Sequence, residues 1–137
     1  MELIESAVFP DLNALDVTST GDIAVDLRHL LEGYCLLFGA PAARAGVPGL
    51  LAAYQAEPGR HLPLAGRIGQ DVRPAFRAAL AAARPGTVDP KVDPDAVVDM
   101  VIGAALYLTF VQPFTGREDS GELVADLLAR AVRSGQT

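Results

Sequence analysis

The chain has 137 residues, half of them hydrophobic, which is enough for one domain with a real core. Its 17 Asp and Glu outweigh 11 Lys and Arg, a net charge of −6, and such a surface repels nucleic acid phosphates and anionic lipid heads. A single cysteine, Cys35, excludes an internal disulfide and a cysteine metal cluster and fits a reducing cytoplasm.

Residues 1 to 9 carry acids but no Lys or Arg, unlike a secretory signal. Glu2 to Phe9 reads as a short helical piece that stops at Pro10, and its amphipathic pattern marks it as the tail of a longer helix. Asp11 to Gly21 reads as a polar loop. Ser19 or Thr20 can cap the next helix, Asp22 to Phe38, whose apolar positions include Ile23, Leu27, Leu30, Leu31, Tyr34 and Phe38. Asp22, Asp26, Arg28, His29 and Glu32 fall largely on its other side. Gly39-Ala40-Pro41 ends it. Ala42 to Gln55 is a weaker helical segment, interrupted by Gly46, Pro48 and Gly49 and anchored by Leu50, Leu51 and Tyr54. Leu62 to Ala83 carries a clear stripe that includes Ile68, Val72, Phe76 and Leu80, with a kink expected at Pro74.

The strongest helix start lies at Asp93-Pro94, where Asp93 can cap and Pro94 lacks only an N–H that would be unpaired anyway. From Met100 to Val111 the segment is apolar or small apart from Thr109, so it must be buried on more than one side. Those twelve residues are fewer than the roughly 20 that a bilayer span needs, so no membrane is expected. Gln112 to Gly116 is a break. Asp119 and Glu122 then stand in capping-box spacing for a last helix that carries Leu123, Val124, Leu127, Leu128, Ala131 and Val132. Five or six helices and no strand indicate an all-α bundle.

Candidate chemistry is sparse. His29 and Glu32 lie three apart on one helix, but a metal usually needs three or four converging ligands, so a solvated face is the better reading. The pairs Asp22/Asp26 and Asp95/Asp99 sit in first turns, where the helix dipole accounts for them. Cys35 has no flanking base and reads as a structural cysteine. No nucleophile elbow, phosphate loop or dinucleotide fingerprint is present, and no cofactor is expected. Arg60, Arg67, Arg73, Arg77 and Arg84 form a basic face to be paired with acids elsewhere. The aromatic residues Tyr34, Phe38, Tyr54, Phe76 and Tyr107, with Leu30, Leu80 and Met100, are the candidates for lining a small-molecule pocket with apolar walls.

Several stretches together resemble the C-terminal effector-binding and dimerisation domain of TetR-family transcriptional regulators. They are Thr20-Gly21-Asp22-Ile23 with Asp26-Leu27-Arg28, Gly49-Leu50-Leu51-Ala52 with Glu57-Pro58, Ala82-Ala83-Arg84-Pro85-Gly86, Val98 through Tyr107, and Leu123-Val124-Ala125-Asp126-Leu127-Leu128. The resemblance implies that the last two long helices pair with their copies in a second subunit as a four-helix interface. Val98, Ile102, Ala105, Leu106, Leu123, Leu127, Leu128 and Ala131 are the candidates for that homodimer surface. It also implies an effector cavity coupled to a DNA-reading helix-turn-helix, which does not occur in these residues. The chain is then a separate domain piece, a proteolytic remnant or a regulator without its head, and operator DNA cannot be assigned to it. A small helical enzyme using His29 or a tyrosine as acid or base, and a dimeric interaction module without ligand, are the alternative readings.

Overall fold

The computed structural model describes residues 15, 17–59, 68–70, 72–118, 121–133 and 135. The expected helix over Glu2 to Phe9, the start of the helix expected from Leu62, His61, Arg60 and Arg67 lie outside the described residues. Helix α1 spans Ile23–Gly39 and is the central element, since α4 and α5 both pack chiefly on it and only lightly on each other. Its N-cap is Asp22, whose side chain accepts the Ala24 N–H at 3.0 Å. Capping therefore falls two residues later than Thr20, which is drawn instead to Asp26. Ile23, Leu27, Leu30, Leu31, Tyr34 and Phe38 are all buried, the stripe that the sequence spacing indicates. Each such side chain contributes about 1.5–3 kcal/mol on burial. Asp26 is buried with them at 3% exposure, contrary to its expected place on the solvated face. Gly33 belongs to this helix because Leu15 lies against it: an added Cβ would stand 2.9 Å from a Leu15 methyl carbon.

Helix α2, Pro41–Ala56, leaves α1 at 85° across Ala40. It is continuous where the sequence suggested interruption. Pro48 removes one backbone donor, but it is on the exposed side, where water can satisfy the freed carbonyl. Ala43, Val47 and Leu50 give it a narrow buried edge. Helix α3 spans Val72–Ala82 and buries Val72, Phe76 and Ala79, while Pro74 is exposed, and residues 68–70 are helical too.

Helix α4, Pro94–Phe110, starts as its sequence dictates, with Asp93 accepting the Asp95 N–H at 3.0 Å and Pro94 in the first turn. Its inner face is Val97, Val98, Val101, Ala105 and Thr109. A short 3-10 turn, Gln112–Phe114, extends it. The apolar stretch is therefore longer than the twelve residues counted from sequence: Pro94–Phe114 is long and apolar enough to cross a membrane by length and composition, and 28% of its most apolar 18 residues are buried. Helix α5, Gly121–Val132, buries Ala125, Leu128, Ala129 and Val132. Its end is tied back to the segment before α4 by an antiparallel bridge between Val88 and Arg133 and by the Asp89 N–H donating to the Val132 carbonyl at 2.9 Å. Among the described residues every named element is a helix. The fold is an all-α bundle.

Candidate effector core and partner-facing surface

The buried face of α1 ends in an aromatic column. Tyr34 and Phe38 stack with ring centroids 5.9 Å apart, and Phe38 meets Phe110 of α4 at 6.4 Å. Phe76 of α3 is fully buried in the same core, with Leu80 and Tyr54 half-buried against it. Six of the eight residues expected to line a pocket therefore join one cluster: Leu30, Tyr34, Phe38, Tyr54, Phe76 and Leu80. Met100 and Tyr107 do not. They are 61% and 45% exposed, on the side of α4 turned away from Val97, Val98 and Val101. Because α4 is apolar around its whole circumference, its periodicity could not say which side turned inward.

The Tyr34 hydroxyl donates to the Ile68 carbonyl at 2.8 Å, fixing the column to the segment before α3. Burial pushes its pKa up from 10.0 to about 12, against a smaller opposing pull from the Arg73 charge. The folded state thus holds the phenol proton more tightly than the unfolded chain does. This contribution is fully present below pH 10 and is lost as pH rises through 12, at about 1.4 kcal/mol per pH unit within that window. Urea titrations at a series of alkaline pH values should show that slope, and Tyr34→Phe should flatten it for a constant cost of about 1 kcal/mol from the lost hydrogen bond.

Beside the column, Arg73 donates to the Asp95 carbonyl oxygen at 3.0 Å and to Asp99 Oδ1, while Arg77 reaches Asp95 Oδ2 at 2.6 Å. The carboxylates at the start of α4 thus do more than offset its dipole, because they clip α3 to α4. The guanidinium of Arg73 is held still more firmly protonated than usual, first by its hydrogen bond to Asp99. These groups are partly exposed, so each pair contributes about 1 kcal/mol or less.

A second apolar surface lies on the outside. Met100, Gly103, Tyr107, Val111 and Phe114 follow one another at helical spacing along α4 and its turn, and all are exposed, Phe114 to 88%. On α5, Leu123 and Leu127 are 59% and 65% exposed and Ala131 is exposed beside them. Both helices put their inner faces on α1, so each outer stripe turns away from it. Of the residues expected at a partner interface, Leu123, Leu127 and Ala131 lie on this surface, and Ile102 and Leu106 are half-buried at its edge. Val98, Ala105 and Leu128 do not belong to it. They are 0%, 0% and 6% exposed and fill the domain's own core, so a partner cannot reach them. Nothing in the sequence pattern singled out Phe114 or Met100 for this surface.

The polar candidates do not converge. His29 and Glu32 are exposed and border different hollows, Glu32 with Cys35 and Leu108, His29 with Asp26 and Thr18. Among the described residues no three His, Cys, Asp or Glu side chains gather as a metal site would require. The Cys35 thiol is pushed up by burial and then by the Glu32 charge, which suppresses the thiolate. Hollows of about 530, 280 and 170 Å³ open among the described residues, and none of the three is lined by Tyr34, Phe38 or Phe76.

A family model described as tetracyclin repressor-like, C-terminal domain, matches residues 17–128. The chain belongs to this family. No curated protein and no solved structure matches it. Membership accounts for the order of helices around α1, since the match runs from the residues before its cap to the buried Leu128 of α5. Regulators of the TetR family generally dimerise and bind small-molecule effectors through this domain.

Proposed function

We propose that this domain is the ligand-sensing and dimerisation part of a cytoplasmic TetR-family transcriptional repressor. A second copy covers the outer face of α4 and α5, so that Met100, Tyr107, Leu123, Leu127 and Ala131 pack across a two-fold axis as a four-helix interface. A small, largely apolar effector enters beside the column of Tyr34, Phe38 and Phe76, with Leu30, Leu80 and Tyr54 around it. Occupancy there shifts α4 through its clip to Arg73 and alters the spacing of two helix-turn-helix heads that read the operator. The single observation that carries this reading is the uncovered apolar stripe on each of α4 and α5, because its large side chains are exposed and unexplained within one subunit. A bilayer could also cover an apolar helix of this length, but the opposite face of α4 is committed to a soluble-type core against α1.

Native mass spectrometry of the purified chain tests the reading. The expected result is a two-subunit mass, with any additional mass identifying a retained effector. A chain that stays monomeric at micromolar concentration would remove the interface from the proposal.

A further inference from the structure

The chain leaves α3 and turns at once. Gly86 carries the turn with a φ of 78°, which glycine adopts without strain. Thr87 closes it, donating to the Arg84 carbonyl from its N–H at 3.1 Å and from its hydroxyl at 2.5 Å. The next residue, Val88, pairs with Arg133 in the antiparallel bridge at the end of α5. Backbone bonding thus brings Arg84 and Arg133, far apart in sequence, to one end of the bundle. Both are exposed, and both line the hollow of about 530 Å³. Gly21 and Asp22, just before α1, form another part of its wall. A Cβ added at Gly21, Gly86 or Gly135 would meet nothing within 4 Å, so the backbone around the hollow is open to approach. Among the described lining residues two arginines stand against one carboxylate, a local excess of positive charge in a chain of net charge −6. The Asp22 carboxylate is turned to the start of α1, where its Oδ1 accepts the Ala24 N–H at 3.0 Å.

We propose that this hollow binds a small, multiply charged oxyanion, a phosphate or a dicarboxylate, clamped by the guanidinium groups of Arg84 and Arg133. A guanidinium presents its N–H donors in a planar fork that matches the oxygens of either group, and two such forks suit a dianion better than a monoanion. The volume admits an organic ligand, because a water takes about 30 Å³ of liquid space and the hollow is many times larger. The ligand is small rather than a nucleic acid, since the acidic remainder of the chain repels an extended polyanion. Recognition rests with the arginines and not with the helix end, which Asp22 already caps. The site is separate from the aromatic column and does not depend on the apolar effector proposed there.

The test is a titration of the whole chain with inorganic pyrophosphate and with succinate, followed by ¹H–¹⁵N spectra, against sodium chloride at matched ionic strength. The expected result is saturable shifts at the amides of Gly21, Gly86, Thr87 and Gly135 that the chloride does not reproduce. Saturation by pyrophosphate alone narrows the ligand to a phosphate, and by succinate alone to a carboxylate. Arg84→Gln and Arg133→Gln, both at exposed positions, should each weaken binding by about tenfold. Asp22→Asn keeps an oxygen to cap α1 and removes the carboxylate from the lining, so it should tighten binding. Arg44→Gln, on the exposed side of α2, should change nothing. Shifts that chloride reproduces, no saturation with either anion, undiminished binding in both Arg84→Gln and Arg133→Gln, an equal loss in Arg44→Gln, or weaker binding in Asp22→Asn would each overturn the proposal.

Discussion

A chain carrying Leu127→Arg should elute as a monomer and keep its helical circular dichroism. Leu127 is 65% exposed in one subunit, so an arginine there remains solvated when no partner is present. Exposed substitutions of this kind change folding stability by about 0.5 kcal/mol or less. Against a second copy the same guanidinium is buried without a counter-charge, which costs about 2–5 kcal/mol. Each 1.4 kcal/mol is about tenfold in the dissociation constant, so the dimer should weaken by roughly thirtyfold or more per mutated side chain, twice over across a two-fold axis. Ala105→Arg should behave differently. Ala105 is fully buried against α1, so the arginine has nowhere to go and the domain should unfold. Sedimentation velocity with thermal melts distinguishes the two. A folded, dimeric Leu127→Arg chain would show that the partner sits elsewhere, and the exposed Leu36 and Leu51 would then be the next surface to mutate.

Phe76→Ala should remove about 3–5 kcal/mol of folding stability, the usual cost of emptying a fully buried phenylalanine site. Domains of this kind hold about 5–15 kcal/mol in total, so the urea midpoint should fall steeply, and partial unfolding at 37 °C is expected. Met100→Ala deletes a side chain of comparable length but leaves the fold nearly unaffected, because 61% of it is already in water. Its effect should appear in dimer affinity instead. The pair separates core from interface: a Phe76→Ala chain of unchanged midpoint would mean that the site refills, and a Met100→Ala chain that unfolds would mean that the outer face is not outside.

Local signals were legible where the physics is local. The start of α4 follows from Asp93 and Pro94 because capping depends on neighbours in sequence, and the inner stripe of α1 follows from the spacing of Leu27, Leu30, Leu31, Tyr34 and Phe38. Which side of α4 faces inward was not legible. With apolar residues on every side, Val98 and Ala105 look as available to a partner as Met100 and Tyr107, and only packing on α1 separates them. The burial of Asp26 was hidden for another reason. Its partner Thr20 lies before the helix, so the bond depends on the chain folding back over the first turn. The continuity of α2 through Gly46, Pro48 and Gly49 shows a weak local preference overridden by docking of Ala43, Val47 and Leu50.

The bridge between Val88 and Arg133 joins the segment leading into α4 to the end of α5, so the final two helices form a closed loop held at both ends. The covalent link between them, around Thr115, Gly116 and Arg117, is exposed. A single proteolytic nick there would leave the C-terminal fragment seated, since Ala125, Leu128, Ala129 and Val132 remain in the core and Asp89 still bonds to Val132. Two separately made peptides, cut at that point, should therefore reassemble into one folded unit, which makes α5 a removable and replaceable piece for placing labels on its exposed face.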